Sequence, residues 1–233
     1  MKRIIKISLI LLLVGMAVIA AVPFFKEKRA ERKYENEFKN IQESVTEKKS
    51  DVNGLVKKNK DCIGYVQIPG TTISYPVMQT KDKPDFYLNH DFNRNYSFYG
   101  TSYLSAYCDV NKSDNLIIYG HNINGGKMFG ALEQYKDKKF FNKHRKIYFT
   151  TDKKREYEVF AVMSVNIHEF EYWKFIMAKD EKEYDEFVDK VEEHSPWRQE
   201  NKPKYGEQML MLSTCDNGKG DDWRIVVIGV MQQ

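Results

Sequence analysis

Met209-Leu210-Met211-Leu212-Ser213-Thr214-Cys215, the loop Asp216-Asn217-Gly218-Lys219-Gly220-Asp221-Asp222 and the run Arg224-Ile225-Val226-Val227-Ile228-Gly229-Val230 form the stretch that decides the fold. Two short runs of large or branched apolar residues flank a loop with no apolar side chain, the pattern of neighbouring strands joined at solvent. Working outward, Ile63–Ile68 and Ile73–Val77 bracket the turn signal Pro69-Gly70 and predict a hairpin-like pair. Tyr103–Ala106, Leu116–Tyr119, Lys146–Phe149 and Tyr157–Val165 read as further strands, joining Met209–Ser213 and Ile225–Val230. About eight short strands with few helices predict a mainly β fold, a closed or nearly closed barrel, because closure removes exposed edges.

Two helices interrupt the strands. Lys127–Tyr135 has Met128, Ala131, Leu132 and Tyr135 on one face, and Asp180–His194 has Tyr184, Phe187, Val188 and Val191. Asp180 caps the second, with Glu183 as the returning acid, and Ser195-Pro196 ends it. Upstream, residues 26–60 read as a charged helical stalk. Its stripe Tyr34, Phe38, Ile41, Val45, Val52 and Leu55 packs on the domain that follows, and Ser50-Asp51 and Gly54 suggest a break into two helices. Ile7 to Phe25 carries no charge, and as a helix it rises roughly 28 Å, close to the hydrocarbon thickness of a bilayer. Lys2, Arg3 and Lys6 before it favour a cytoplasmic N-terminus. The reading is a single-pass anchor at 1–25, a stalk at 26–60 and a barrel at 61–233, outside the cell. A cleaved signal peptide, cut near Ala17, Ala20 and Ala21, is the alternative and exports the same residues.

Charge supports that division. The total is +4, with residues 1–60 at +7 and the remainder at −3. A nucleic-acid partner needs a basic face on the folded body, so that class is excluded, while a basic stalk suits anionic head groups. Cys62, Cys108 and Cys215 form no C-x-x-C pair, which argues against a zinc ribbon, and an odd count leaves at least one free thiol.

Three residues carry candidate chemistry. Cys215 stands where an apolar strand meets a polar loop, rigid yet reachable, whereas Cys62 and Cys108 fit a packing role. His121 leaves the strand Leu116–Tyr119 in Gly120-His121-Asn122, and a neutral imidazole both accepts and returns a proton. His90, His144, His168 and His194 read as surface or capping residues. Arg224 opens the last strand, nine residues after Cys215, and can reach the end of the neighbouring strand about 4.8 Å away. There its guanidinium can hold a carbonyl or an oxyanion; the structural alternative is a partner for Asp221 or Asp222.

Leu212-Ser213-Thr214-Cys215, Tyr119-Gly120-His121-Asn122 and Arg224-Ile225-Val226-Val227 together resemble the cysteine, histidine and arginine motifs of the sortase family. Ile68–Val77 and Tyr87–Phe92 resemble its first hairpin and the segment after it, so the likeness runs from about Ile63 to Val230. Helices before the barrel, a long helix before the cysteine strand and Asp216 directly after the cysteine are similar to class B. The aspartate-aromatic lid of class C is not found. The resemblance implies cysteine transpeptidation without cofactor or metal: a C-terminal sorting signal on a surface protein is cleaved after threonine through a Cys215 thioester. The acyl group then passes to an amine of a peptidoglycan precursor, with His121 moving protons and Arg224 stabilising the oxyanion. Asn89, Tyr119, Ser213, Thr214 and Asp216 are weaker candidates for lining the substrate groove, each with a turn, core or strand-end alternative. Competing readings are an endopeptidase that hydrolyses the acyl-enzyme, a sortase that polymerises pilins, and a catalytically silent tethered binding module.

Overall fold

The computed structural model describes residues 2–47, 52–200 and 202–232, without the side chains of 2–5, 8–10, 13, 34, 37–38 and 40–47. The side chains of the stripe positions Tyr34, Phe38, Ile41 and Val45 and of the Lys2 and Arg3 flank, and the Ser50-Asp51 break, lie outside what is described. The chain has two compact units, Met1–Glu43 and Ser44–Gln233. Helix α1 (Lys2–Glu47) makes up the first, with Pro23 inside it. Its large apolar side chains stand in the open, Leu11 at 66 %, Ile19 at 73 % and Phe25 at 68 % exposure. Among the described residues no helix is long and apolar enough to cross a membrane.

In the second unit, α2 (Val52–Lys58) buries Val52 and Leu55 against the first strand, so this end of the stripe packs on the domain as expected. Gly54 lies within α2 and does not mark a break. The eight barrel strands are β1 (Cys62–Gln67), β2 (Ser74–Met78), β3 (Tyr103–Leu104), β4 (Asn115–Tyr119), β5 (Lys146–Thr150), β6 (Lys154–Asn166), β7 (Met209–Cys215) and β8 (Trp223–Met231). Their order is β8-β7-β4-β3-β2-β1-β5-β6, and β6 pairs back to β8, so the sheet closes on eight strands. The short strand Trp197–Arg198 adds to the free flank of β6. Pairs β4–β7 and β2–β3 are parallel, and the others are antiparallel.

The sequence pattern accounts for this order. Strand β7 is apolar along Met209–Leu212 because it lies between β4 and β8, and Leu210, Met211, Leu212, Ile117, Ile118 and Val227 have no exposure. Burying side chains of this size contributes roughly 1.5–3 kcal/mol each. The Pro69-Gly70 turn joins β1 to β2 with Gly70 at φ 77°, as the hairpin reading expects. At Gly64, beside a register shift in β1, a Cβ would come within 2.8 Å of the Phe149 ring, so only glycine lets β5 approach.

Helix α4 (Glu181–Glu193) precedes β7 and is capped by Asp180, whose carboxylate accepts from the Glu183 N–H at 2.9 Å. Glu183 returns to the Lys179 N–H at 2.7 Å, one residue beyond the usual partner.

Two expectations need correction. The strand at Tyr103–Ala106 stops at Leu104, because Ser105 donates to the Ile117 carbonyl and its own carbonyl then accepts from Cys108, closing a turn. The helix at Lys127–Tyr135 is instead a β-ribbon (Asn122–Ile123 with Lys127–Met128) followed by a 3-10 helix, Phe129–Lys136. Met128, Ala131, Leu132 and Tyr135 are buried as expected. The helix type differs because Phe129 donates its N–H to the His121 carbonyl at 2.9 Å, pulling the start of the turn onto the histidine loop. A short helix α3 (Lys138–Lys143), capped by Asp137, has no counterpart among the predicted elements.

Candidate active site

Cys215 is the last residue of β7 and faces Arg224, the second residue of β8, as a direct cross-strand partner. Asp216 donates to the Trp223 carbonyl at 2.9 Å, so the adjacent Cys215–Arg224 pair is of the non-hydrogen-bonded type, with Cα atoms about 4.5 Å apart. Both side chains leave the same face of the sheet. Arg224 Nη1 donates to the Asp221 and Trp223 carbonyls at 2.5 and 2.9 Å. Among the described residues its Nε and Nη2 have no partner, and no carboxylate lies within ion-pair distance of it. The alternative of a salt bridge to Asp221 or Asp222 is therefore not realised. A guanidinium fixed through one nitrogen keeps donors for a carbonyl oxygen or an oxyanion.

His121 comes to the same end of the barrel from the other side of β7. Ser213 pairs with Tyr119 in the parallel β4–β7 ladder, and Gly120 donates to the Ser213 carbonyl at 3.2 Å. His121 and Cys215 each follow two residues after this last ladder pair, and the Asn122 side chain beside His121 reaches the Cys215 carbonyl. Its Nε2 lies 2.8 Å from the Leu88 carbonyl. Asn122 ties the two strand exits together, its amide donating to the Cys215 carbonyl and to Glu133 Oε1, both at 2.8 Å.

Asp216 continues this lattice inward. It is fully buried and accepts from Lys136 Nζ and Ser164 Oγ, both at 2.7 Å, and from the Gly218 N–H at 3.3 Å. Burial pushes its carboxyl up, but the Lys136 and Ser164 hydrogen bonds and the Lys136 charge outweigh it and hold the group below the usual carboxylate range. Burial likewise opposes the Lys136 charge, and its bonds to Asp216 and Glu133 raise it above the ordinary lysine value. The chain thus closes a ring from Asp216 through Lys136, Glu133 and Asn122 back to the Cys215 carbonyl.

The weaker candidates fall in different places. Tyr119 lines a cleft of about 200 Å³ with Ile167, Tyr172, Trp173 and Arg224. Ser213 lies just behind it, its hydroxyl 2.7 Å from the Tyr172 hydroxyl. Thr214 is 3 % exposed, and among the described residues its hydroxyl has no partner. Asn89 is exposed beside Leu88 and accepts from the Ser97 N–H. Asp216 has both oxygens engaged inside the barrel end, which leaves its carboxylate turned away from solvent. Sequence reasoning missed Tyr172, Trp173 and Ile167, which stand after the end of β6 with no motif around them.

The remaining thiols and imidazoles have structural partners. Burial pushes Cys62 up to about 12 and Cys108 up to about 11, despite main-chain hydrogen bonds that oppose it. All three cysteines are free, and only Cys215 is partly accessible. His90 stacks on Phe86, His144 stacks on Phe140 and faces the Pro69 carbonyl, and His194 caps α4. His168 lies near Asp222 at the surface. Among the described residues no group of acids, histidines and cysteines can hold a metal ion.

A family model described as Sortase domain matches residues 66–232, which include all three candidate catalytic residues. Sortase B of Staphylococcus aureus is 27 % identical over 98 % of this chain and 96 % of its own length. Sortase B of Listeria monocytogenes is 32 % identical over 78 % of this chain and 74 % of its own. The solved Staphylococcus aureus sortase B–substrate complex superposes with a TM-score of 0.73 at 26 % identity, covering 89 % of this chain and 97 % of that one. With most of the barrel matched and the closed eight-stranded topology in common, the chain belongs to the sortase family, on its class B branch.

Proposed function

As a class B sortase the chain is a cysteine transpeptidase, and we propose that Cys215, His121 and Arg224 perform its chemistry. The observation that carries this assignment is the register: Cys215 and Arg224 are cross-strand partners, and the parallel β4–β7 ladder ends at Tyr119–Ser213, two residues before both His121 and Cys215. The donor is a surface protein bearing a C-terminal sorting signal. Cys215 Sγ attacks the threonine carbonyl carbon, and its proton passes to His121. Arg224 donates through its free nitrogens to the oxyanion of the tetrahedral intermediate. Collapse breaks the peptide bond, the leaving amine takes the proton from His121, and a thioester remains on Cys215. An amine of a peptidoglycan precursor then attacks the thioester carbonyl, its proton passes to His121, and His121 returns that proton to the departing Cys215 sulfur as the C–S bond breaks. The cleft lined by Tyr119, Tyr172 and Trp173 reaches Arg224 and suits the donor peptide. Asn89, Ser213, Thr214 and Asp216 complete its surroundings in this reading, Ser213 and Asp216 through the groups they hold in position.

The layout is an anchor at 1–25, a stalk at 26–60 and a catalytic barrel at 61–233. The anchor rests on the uncharged stretch Ile7–Phe25 and on the open apolar side chains of its helix. Membrane fractionation of cells expressing the full chain, and of cells expressing a version lacking 1–25, tests it: a full chain that washes off in carbonate removes the anchor. For the reaction, the full chain is incubated with a library of threonine-containing sorting peptides, with and without an amine nucleophile. A new amide product that displaces the free acid is expected. Cleavage whose products ignore the amine would make the enzyme a hydrolase.

A further inference from the structure

We propose that the Leu88 carbonyl locks His121 in its Nε2-protonated form, leaving Nδ1 as the nitrogen that carries protons, and that Gly100 is a positioning residue for that carbonyl. The catalytic half of this inference rests on the assignment of His121 above; the tautomer half does not. The Leu88 carbonyl lies 2.8 Å from His121 Nε2, and a carbonyl oxygen only accepts. The nitrogen facing it must therefore bear hydrogen, which puts the lone pair of the neutral ring on Nδ1. Among the described residues Nδ1 has no hydrogen-bond partner. Once Nδ1 takes a proton the ring still donates through Nε2, so the imidazole need not turn between accepting a proton from Cys215 and returning it to the leaving amine.

The carbonyl is held by a built support. Leu88 ends the 3-10 turn Phe86–Leu88, and its N–H donates to the Asp85 carbonyl at 3.0 Å. Tyr87 beside it is buried, donates its hydroxyl to Asp61 and accepts from Asn59, both at 2.8 Å. Thr101 donates its N–H to the Tyr87 carbonyl at 2.9 Å, drawing the segment of Gly100 across the turn. Gly100 sits at φ 57°, and a Cβ there would lie 2.4 Å from the Leu88 oxygen and 2.7 Å from the Tyr87 oxygen. Any side chain at position 100 must displace the acceptor that orients His121.

The test uses the full chain labelled with nitrogen-15 in histidine, read by long-range proton–nitrogen correlation at a pH where the imidazoles are neutral. His121 is assigned by the signal lost in His121→Gln. The expected result is a single Nε2-protonated form for His121. An Nδ1-protonated ring, or two forms in fast exchange, overturns the proposal in the wild-type protein alone, whether or not any variant folds. In Gly100→Ala the His121 signals are expected to shift towards a mixture of forms. The kcat should fall about 10- to 100-fold with KM for the peptide little changed, the scale of a misplaced catalytic group. A folded Gly100→Ala protein with wild-type signals and turnover removes Gly100 from the account. An Nε2-protonated His121 in a protein whose Cys215→Ala variant still turns over keeps the clamp and overturns the catalytic assignment instead.

Discussion

The two sides of Cys215 are held by different means. On one side Arg224 is fixed by an antiparallel ladder running without interruption from Met209–Val230 to Cys215–Arg224. On the other, His121 stands two residues beyond the end of β4 and depends on loop contacts: Leu88 to the ring, Asn122 to the Cys215 carbonyl, Phe129 to its own carbonyl. A ladder fixes a residue to its neighbour through many small cooperative bonds. Loop contacts fix it through a few side chains, each removable by one substitution. In the proposed assignment the nucleophile and the charge stabiliser are thus built into the fold, while the proton carrier is adjustable.

The largest expected effect is on the ladder side. Arg224→Lys keeps the charge but loses the planar fork, and kcat/KM should fall on the order of 10²–10³-fold, with thermal stability unchanged. Near-normal turnover would mean that Arg224 does not touch the reacting carbonyl.

On the loop side, Asn122→Ala cuts the tie between the histidine exit and the cysteine strand. Turnover should fall about tenfold, and stability by about 1 kcal/mol for the lost hydrogen bonds. A variant that loses stability but keeps its turnover and pH profile would reduce Asn122 to a structural role.

Lys136→Met tests the ring beneath both sides. It leaves the buried Asp216 carboxylate with only Ser164 and Gly218, at a cost of about 1–3 kcal/mol, discounted because Lys136 is 39 % exposed. Differential scanning calorimetry should show Tm lower by several degrees. The pH dependence has a definite sign. Asp216 is held below its ordinary value, so its contribution is complete above the usual carboxylate range near ~3.9 and disappears as pH falls through the lowered value. Lys136 is raised, so its contribution is complete below ~10.4 and disappears as pH rises through the raised value. Wild type and variant should differ fully between those limits and converge in acid. A gap that persists at a pH where the Asp216 carboxyl itself is seen to be protonated by infrared or NMR titration would rule out the ion pair as its source.

The smallest effect contrasts the thiols. Cys62 and Cys108, pushed up to about 12 and 11 and shielded from solvent, should stay unlabelled by iodoacetamide in the native protein while Cys215 reacts. Labelling of Cys62 or Cys108 at the rate of Cys215 would remove the contrast.

What could be read in the sequence follows the same division. The β7–β8 hairpin was legible because apolar runs and a polar loop encode register locally, and the strand-end positions of Cys215 and Arg224 followed from it. His121 was legible from its strand exit. The contacts that hold it were not: the Leu88 acceptor is a main-chain atom, which has no residue signature, and Asn122 meets Glu133 across an intervening turn. The same turn was misread as an α-helix because its apolar face at Met128, Ala131, Leu132 and Tyr135 fits either helix type; the pull of Phe129 onto the His121 carbonyl is tertiary. Tyr172 and Trp173 were invisible for the same reason, gaining meaning only from the neighbours that β6 and β7 bring to them.

The most direct test is intact-mass analysis of the full chain mixed with a cleavable sorting peptide, comparing the wild type with Cys215→Ala. The expected result is a hydroxylamine-sensitive acyl adduct on the wild type, mapped to Cys215, and none on the folded variant. An adduct of the same mass on Cys215→Ala, or peptide cleavage at the wild-type rate, would contradict the account.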